Sequence, residues 1–215
     1  MSLNISFVTS LTDALLDVRE KMFQPQNVVI TCSKSGKLTT SLVYYWRDNV
    51  LAPNVPKKCL LLSDDWPGQS DEEIYKKVPG CKRLAILKKT TDRIQPLDVF
   101  YNRQIKSIIR HAYNRVILDQ LPISMSTRDN IIRLVSLTHS QMSAEILRGL
   151  IRYAWYASGY VDSHPGVFKT VDKVCFDINT DSCQVTDCDQ SPFIRCNWCN
   201  ETLCFNHFFI EYHYH

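Results

Sequence analysis

Nowhere do apolar residues run on for the roughly twenty positions that a membrane-spanning helix needs, so no membrane partner is expected. A strong charge imbalance is missing too. Twenty-five Lys and Arg stand against 22 Asp and Glu, for a formal net charge of +3. That is too little for the global basic field that would by itself announce a nucleic-acid binder, so any such contact must come from local patches. The opening residues, MSLNISFVTSLTDALLDVRE, lack the basic start and continuous apolar block of a secretory signal, which predicts an intracellular protein. Internal repeats and low-complexity tracts are likewise absent. What is present is ordinary: 45% hydrophobic and 22% charged residues over 215 positions, enough for a core without staples over most of the length.

Cysteine is sparse along most of the chain and dense at its end. Cys32, Cys59 and Cys81 sit in apolar segments and are expected to be small buried thiols. The other six of the nine (Cys175, Cys183, Cys188, Cys196, Cys199 and Cys204) crowd the last fifth. In a reducing compartment such density argues for metal ligation over disulfides. The order is Cys183-x4-Cys188-x7-Cys196-x2-Cys199-x4-Cys204-x2-His207-x5-His213-x-His215. Eight thiolate or imidazole donors over residues 183–215 satisfy two tetrahedral, structural Zn²⁺ ions. The gaps in Cys196-Asn197-Trp198-Cys199 and Cys204-Phe205-Asn206-His207 let a tight knuckle aim both donors at one metal. Cys175 is near enough in sequence to compete for a place in the first site. Phe193, Trp198, Phe205, Phe208 and Phe209 are expected to form a small core beside the metal. Arg195 is the only cation of this module, and no recognition helix is visible, so it reads as a protein-gripping element and not a base reader.

Upstream, short apolar runs alternate with helical patterns, which predicts an α/β architecture. Leu11, Leu15, Leu16, Val18 and Met22 suggest an amphipathic amino-terminal helix. Val28–Thr31 reads as a strand before Gly36, and Thr39–Asn49 as a helix with Thr39 or Thr40 as its cap, closed by Pro53 and Pro56. Cys59–Leu62 and Leu84–Leu87 have the continuous apolar character of buried strands, and Asp71–Lys77 reads as a short helix between them. A long helix is expected from Asp98 or Val99 to about Leu118. Tyr101, Ile105, Ile108, Ile109, Ala112 and Val116 form its apolar stripe, and Arg103, Lys106 and Arg110 another face. Thr127–Val135 and Ser143–Ser158 are further helices, and residues 160–182 read as linker.

Asp64 ends the first of these apolar runs and Asp98 opens the long helix. Such aspartates serve as caps or turn residues, and when paired at strand ends they also hold Mg²⁺ or Mn²⁺ for phosphoryl transfer. The wording around them favours the second use. Leu60-Leu61-Leu62-Ser63-Asp64-Asp65-Trp66-Pro67 and Thr90-Thr91-Asp92-Arg93-Ile94-Gln95-Pro96-Leu97-Asp98-Val99 resemble two segments of the pogo/jerky/centromere-protein-B class of DDE transposases. Ser35-Gly36-Lys37-Leu38-Thr39-Thr40 through Trp46 is similar to that family's turn and following helix. The resemblance covers roughly residues 27–160 and implies a ribonuclease-H-like fold in which three acidic residues bind two metals and cleave DNA. By position Asp64 matches the second acidic residue and Asp98 the third. The first belongs on an opening strand, whereas Asp13 and Asp17 stand in a helical-looking segment. The family's helix-turn-helix domain has no counterpart either. A two-metal site short of one carboxylate loses a bridging ligand, so a truncated, non-catalytic relative is implied.

DNA binding in that family makes the Arg103, Lys106 and Arg110 face the candidate phosphate contact, although the same pattern also suits a solvated helix face. From Cys196 onward the ligand order looks like an AN-one zinc finger and somewhat like a B-box. That resemblance implies a cross-brace, with Cys183, Cys188, Cys204 and His207 on one zinc and Cys196, Cys199, His213 and His215 on the other.

The expected organisation is an amino-terminal helical segment (1–26), a partial ribonuclease-H-like domain (27–120), a helical extension (121–160), a linker (161–182) and a zinc module (183–215). The expected function is nuclear and transposase-derived: non-catalytic nucleic-acid binding, with DNA as partner. An active metal-dependent DNA endonuclease and a zinc-module adaptor for a protein partner are the alternatives.

Overall fold

The computed structural model describes residues 5–10, 21–33, 36–87 and 89–215, with side chains for all but 5–10. They fall into two compact units, Met1–Gln95 and Pro96–His215.

In the first unit, β1 (Ile5–Ser10) and β2 (Val28–Ser33) pair in parallel, from Ile5 opposite Val28 to Ser10 opposite Ser33. This corrects the expectation of a helical segment over 1–26. Ile5-Ser6-Phe7-Val8-Thr9 is rich in β-branched and aromatic residues, which suit a pleated ladder better than a helix. Leu11, Leu15, Leu16, Val18, Asp13, Asp17 and Ser35 lie outside the described residues.

Thr39 caps α1 (Thr40–Trp46), its Oγ1 accepting from the Leu42 N–H at 3.3 Å. The helix continues through a π-helical turn, Arg47–Leu51, into α2 (Ala52–Asn54). Pro53 lies in its last turn: the helix ends one residue later at Asn54, and Val55 is already extended ahead of Pro56.

β3 (Cys59–Asp64) and β4 (Cys81–Ile86) form a second parallel pair, and their connection carries α3 (Glu73–Lys76). Ile74 and Tyr75 of α3 are buried against Val43 of α1, with Trp46, Leu51, Leu61 and Trp66 around them. Gly80 enters β4 at φ +81°, where an added Cβ would stand 1.9 Å from the Lys57 carbonyl oxygen, so the position excludes every other residue.

The continuous burial expected of these strands is not found. Ile86 is buried, but Leu60 and Leu84 are 45% and 43% exposed, because the neighbouring elements cover the pair on one face only. Cys59 and Cys81 face each other in register and, with Cys32, are partly exposed instead of fully buried. A single turn, α4 (Thr91–Ile94), ends the unit.

The second unit opens with a π-helical turn, Leu97–Tyr101, that runs into α5 (Asn102–Leu118). The stripe read from sequence faces the core: Tyr101, Ile108 and Ala112 are buried, and Ile105, Ile109 and Val116 pack beside them. Because this stripe packs with later segments, the boundary expected near residue 120 falls instead at Gln95–Pro96.

α6 (Arg128–Met142) is capped by Thr127, whose side chain accepts from the Asn130 N–H at 3.4 Å, and a 3₁₀ turn, Glu145–Leu147, leads into α7 (Arg148–Ala157). The expected linker contains α8 (Val171–Cys175). Its Val171, Val174 and Cys175 share one side of a single turn and are all buried. β5 (Ile194–Arg195) and β6 (Thr202–Leu203) make an antiparallel hairpin, and a π-helical turn, Asn206–Ile210, follows.

One continuous core joins Ile108, Leu137 and Leu150 of the helices to Ile194, Leu203, Phe208 and Phe209 near the carboxyl terminus. The Cys/His region is therefore built into the helical unit. No helix among the described residues is long and apolar enough to cross a membrane.

Candidate metal centres

The β5–β6 hairpin presents the Cys196–Cys199 knuckle. The Cys196 N–H donates to the Glu201 carbonyl at 2.8 Å, the Asn200 N–H donates to the Cys196 carbonyl at 2.9 Å, and Asn200 turns the chain at φ +64°. Cys183 is drawn to the same hairpin, since the Gln184 N–H donates to the Thr202 carbonyl at 2.8 Å. Cys188 follows a tight turn in which its N–H reaches the Val185 carbonyl at 3.1 Å, with Asp187 at φ +59°. Cys204 and His207 come from the start of the π-helical turn, and the His213 N–H closes back on the Phe208 carbonyl at 3.1 Å.

These connections gather the eight donors into two quartets: Cys183, Cys188, Cys204 and His207, and Cys196, Cys199, His213 and His215. Within each quartet one ligand atom from every residue lies within 4.8 Å of the others. His207 Nδ1 is 3.2 Å from Cys183 Sγ and 3.3 Å from Cys204 Sγ. In the other quartet His213 Nε2 is 3.3 Å from Cys199 Sγ and 2.8 Å from His215 Nε2. With Zn–S near 2.3 Å and Zn–N near 2.0 Å, the S···N edge of a tetrahedron is about 3.5 Å, so these spacings come close to coordination edges. Both quartets can hold a metal ion.

The electrostatics of the donors point the same way. Burial would push the Cys183 thiol up, but hydrogen bonds from the Val185 and Cys204 backbone and from His207 bring it down to about 7. Burial raises Cys204 to about 11, and the neighbouring Cys183 and Cys188 sulfurs add to the rise. Cys199 is likewise raised to about 11, by burial and by Cys196. Sulfurs crowded in this way cannot all ionise unless a cation joins them, and a soft divalent ion is the natural one. His207 directs its other ring nitrogen at Glu211, with Nε2 to Oε1 at 3.6 Å, the carboxylate arrangement that orients metal-bound imidazoles.

Cys175 belongs to neither quartet. Burial drives its thiol up to about 12, and its Sγ donates to Asn197 Oδ1 at 3.3 Å. Of the aromatic core residues expected beside the metal, Phe193, Phe205, Phe208 and Phe209 are buried. Trp198 is 48% exposed instead, because its indole N–H reaches across to the Ser140 carbonyl at 2.8 Å. Residues that sequence spacing did not single out surround the second quartet: Gln141, Asn197 and Glu201. Glu211, four residues after His207, carried a detectable signal as an i,i+4 partner; Gln141, on a different helix, carried none.

The other candidate residues lie elsewhere. Asp64 closes β3 and is exposed, with its carboxylate held by the Gln69 side chain and its carbonyl accepting from Arg83 Nη2 at 3.4 Å. Asp98 stands in the first turn of the second unit, where Asn102 Nδ2 donates to its Oδ1 at 2.8 Å. Arg103, Lys106 and Arg110 are exposed on α5 and pair with no carboxylate among the described residues.

No curated protein and no solved structure matches the chain. Residues 155–215 match the family model described as the Tc5 transposase C-terminal domain, a stretch that runs from the last turn of α7 to the final histidine. The segment that carries both Cys/His quartets is thus similar to a transposase carboxy-terminal domain.

Proposed function

We propose that the protein is a transposase-derived, non-catalytic DNA-binding protein of the nucleus whose second unit is held together by two structural zinc ions. One observation carries this reading: both four-donor quartets lie inside the stretch similar to a transposase carboxy-terminal domain. Zinc suits the donors, since three thiolates with one imidazole, or two of each, are closed structural sets with no position left for substrate. The exposed cations Arg103, Lys106 and Arg110 on α5 are the proposed phosphate-binding side chains. For the first unit we infer a partial ribonuclease-H-like origin, supported by the parallel β3–β4 pair, the helical connection between its strands and Asp64 at a strand's carboxyl end. Asp64 and Asp98 each have a carboxylate oxygen engaged by an amide side chain a few residues on, the behaviour of turn- and helix-fixing aspartates.

Gel shifts over a salt series test the reading. Duplex DNA binding should weaken steeply with salt. Replacing Arg103, Lys106 and Arg110 together by alanine should make the log–log slope shallower by about 0.9 for each phosphate that is no longer neutralised. Supercoiled plasmid incubated with Mg²⁺ or Mn²⁺ should stay intact; nicking abolished by Asp64→Asn or Asp98→Asn would establish an active endonuclease instead. A protein that keeps two zinc ions but shows no salt-sensitive DNA binding would be the protein-binding adaptor.

A further inference from the structure

The two quartets differ in what surrounds them. His207 of the first leans on Glu211, four residues away in the same turn. The Cys196 quartet is touched by a helix distant in sequence. Gln141, one residue before the end of α6, has no exposed surface, and its side-chain nitrogen lies 3.5 Å from Cys196 Sγ. Its side-chain oxygen accepts the Asn197 N–H at 2.7 Å, and its backbone carbonyl accepts from Asn197 Nδ2 at 3.1 Å. The orientation of the amide follows from these partners. A peptide N–H requires the carboxamide oxygen, so the NH₂ group must face the sulfur. Next to it, the Ser140 carbonyl accepts the Trp198 indole N–H at 2.8 Å. The knuckle is thus held to the end of α6 residue by residue, from Cys196 to Trp198.

We propose that Gln141 is the positioning residue of the Cys196, Cys199, His213 and His215 centre, an inference that rests on the zinc reading above. Its N–H···S bond is charge-assisted once Cys196 is a metal-bound thiolate, and its oxygen fixes the peptide that follows Cys196. Both effects hold the sulfur where the metal needs it. Among the described residues no side-chain amide from another helix reaches a sulfur of the Cys183 quartet, so Gln141 acts on one ion of the two.

The test is chelator competition on the full chain loaded with two zinc ions. Wild type should release them in two phases of equal amplitude. Gln141→Met keeps the volume but loses both amide bonds, and should speed one phase by about 10- to 100-fold, the usual effect of removing an outer partner of a metal ligand. The other phase should not change. Gln141→Glu retains an oxygen for Asn197 but turns a carboxylate oxygen toward the sulfur. With Co²⁺ loaded, its thiolate-to-metal charge-transfer band should shift while the tetrahedral d–d bands remain, a signature that mere loosening of the core does not produce.

Unchanged phases, or both accelerated alike, would overturn the proposal. Should neither variant fold, ¹¹³Cd-loaded wild type decides: a Gln141 side-chain amide proton should couple to one cadmium nucleus and not the other, and no coupling overturns the assignment. A wild type that binds fewer than two ions defeats the zinc reading itself, an outcome distinct from two ions held independently of Gln141.

Discussion

His139 lies two residues before Gln141 on α6, and its burial lowers its pKa from the ordinary 6.5 to about 4. The folded chain therefore prefers neutral imidazole, and protonation favours the unfolded chain. This contribution to stability is complete above about pH 6.5 and drains away as pH falls toward 4. Between pH 8 and 5.5 it amounts to about 1.4 kcal/mol. Denaturant unfolding of wild type and His139→Leu, both with excess metal, should diverge by that amount across this interval, with wild type losing more. A gap that does not widen in acid would place the imidazole in water. At this scale the sequence says little: a histidine on a helix reads the same whether buried or solvated, and only the packing of α6 within its unit separates the two. Trp198 shows the converse. An aromatic residue between two ligands reads as core, yet a hydrogen bond to Ser140 holds it half in solvent.

Among the elements, α5 was the most legible. Its stripe recurs at helical spacing over the whole Asn102–Leu118 helix, and one face of that helix meets the core. Ile108→Ala should cost about 2–5 kcal/mol, the usual range for emptying a fully buried aliphatic site. Arg103→Ala on the exposed face should stay within about 0.5 kcal/mol. Thermal or denaturant melts of both variants compare the two directly, and similar losses would contradict the burial pattern. β1 and α8 were not legible, for different reasons. A six-residue strand carries few periods, and its pairing with β2 depends on a partner well downstream. One turn of helix among Gly, Pro and Asp residues resembles linker until its three apolar side chains find the core.

For the whole molecule the magnitudes favour metal dependence of the second unit. Structural zinc contributes about 10–16 kcal/mol in small fingers, while an entire domain is stable by only about 5–15 kcal/mol. Cys183, Cys196 and Cys204 belong to the same core as α5, α6, α7 and α8. Removing metal under reducing conditions should therefore unfold the helices of Pro96–His215 and not just the last turns. Hydrogen exchange should accelerate at Ile108 and Leu137 on addition of a chelator. The Met1–Gln95 unit, with its own core at Val43, Ile74 and Tyr75, should keep its protection. Exchange confined to residues 183–215 would mean that the Cys/His region is autonomous after all.

By itself the sequence determined the donor types of the candidate metal sites and their order along the chain, because ligand types and knuckle spacings are local properties. It also determined which face of the long helix is apolar. Tertiary structure alone decided the rest. The quartets are those that the ligand order's resemblance to a cross-brace finger implies, but the capture of Cys175 by a hydrogen bond to Asn197 and the approach of Gln141 to Cys196 join residues in ways that no spacing suggests. Juxtapositions of that kind are set by how helices and hairpin share a core, and no local periodicity encodes them.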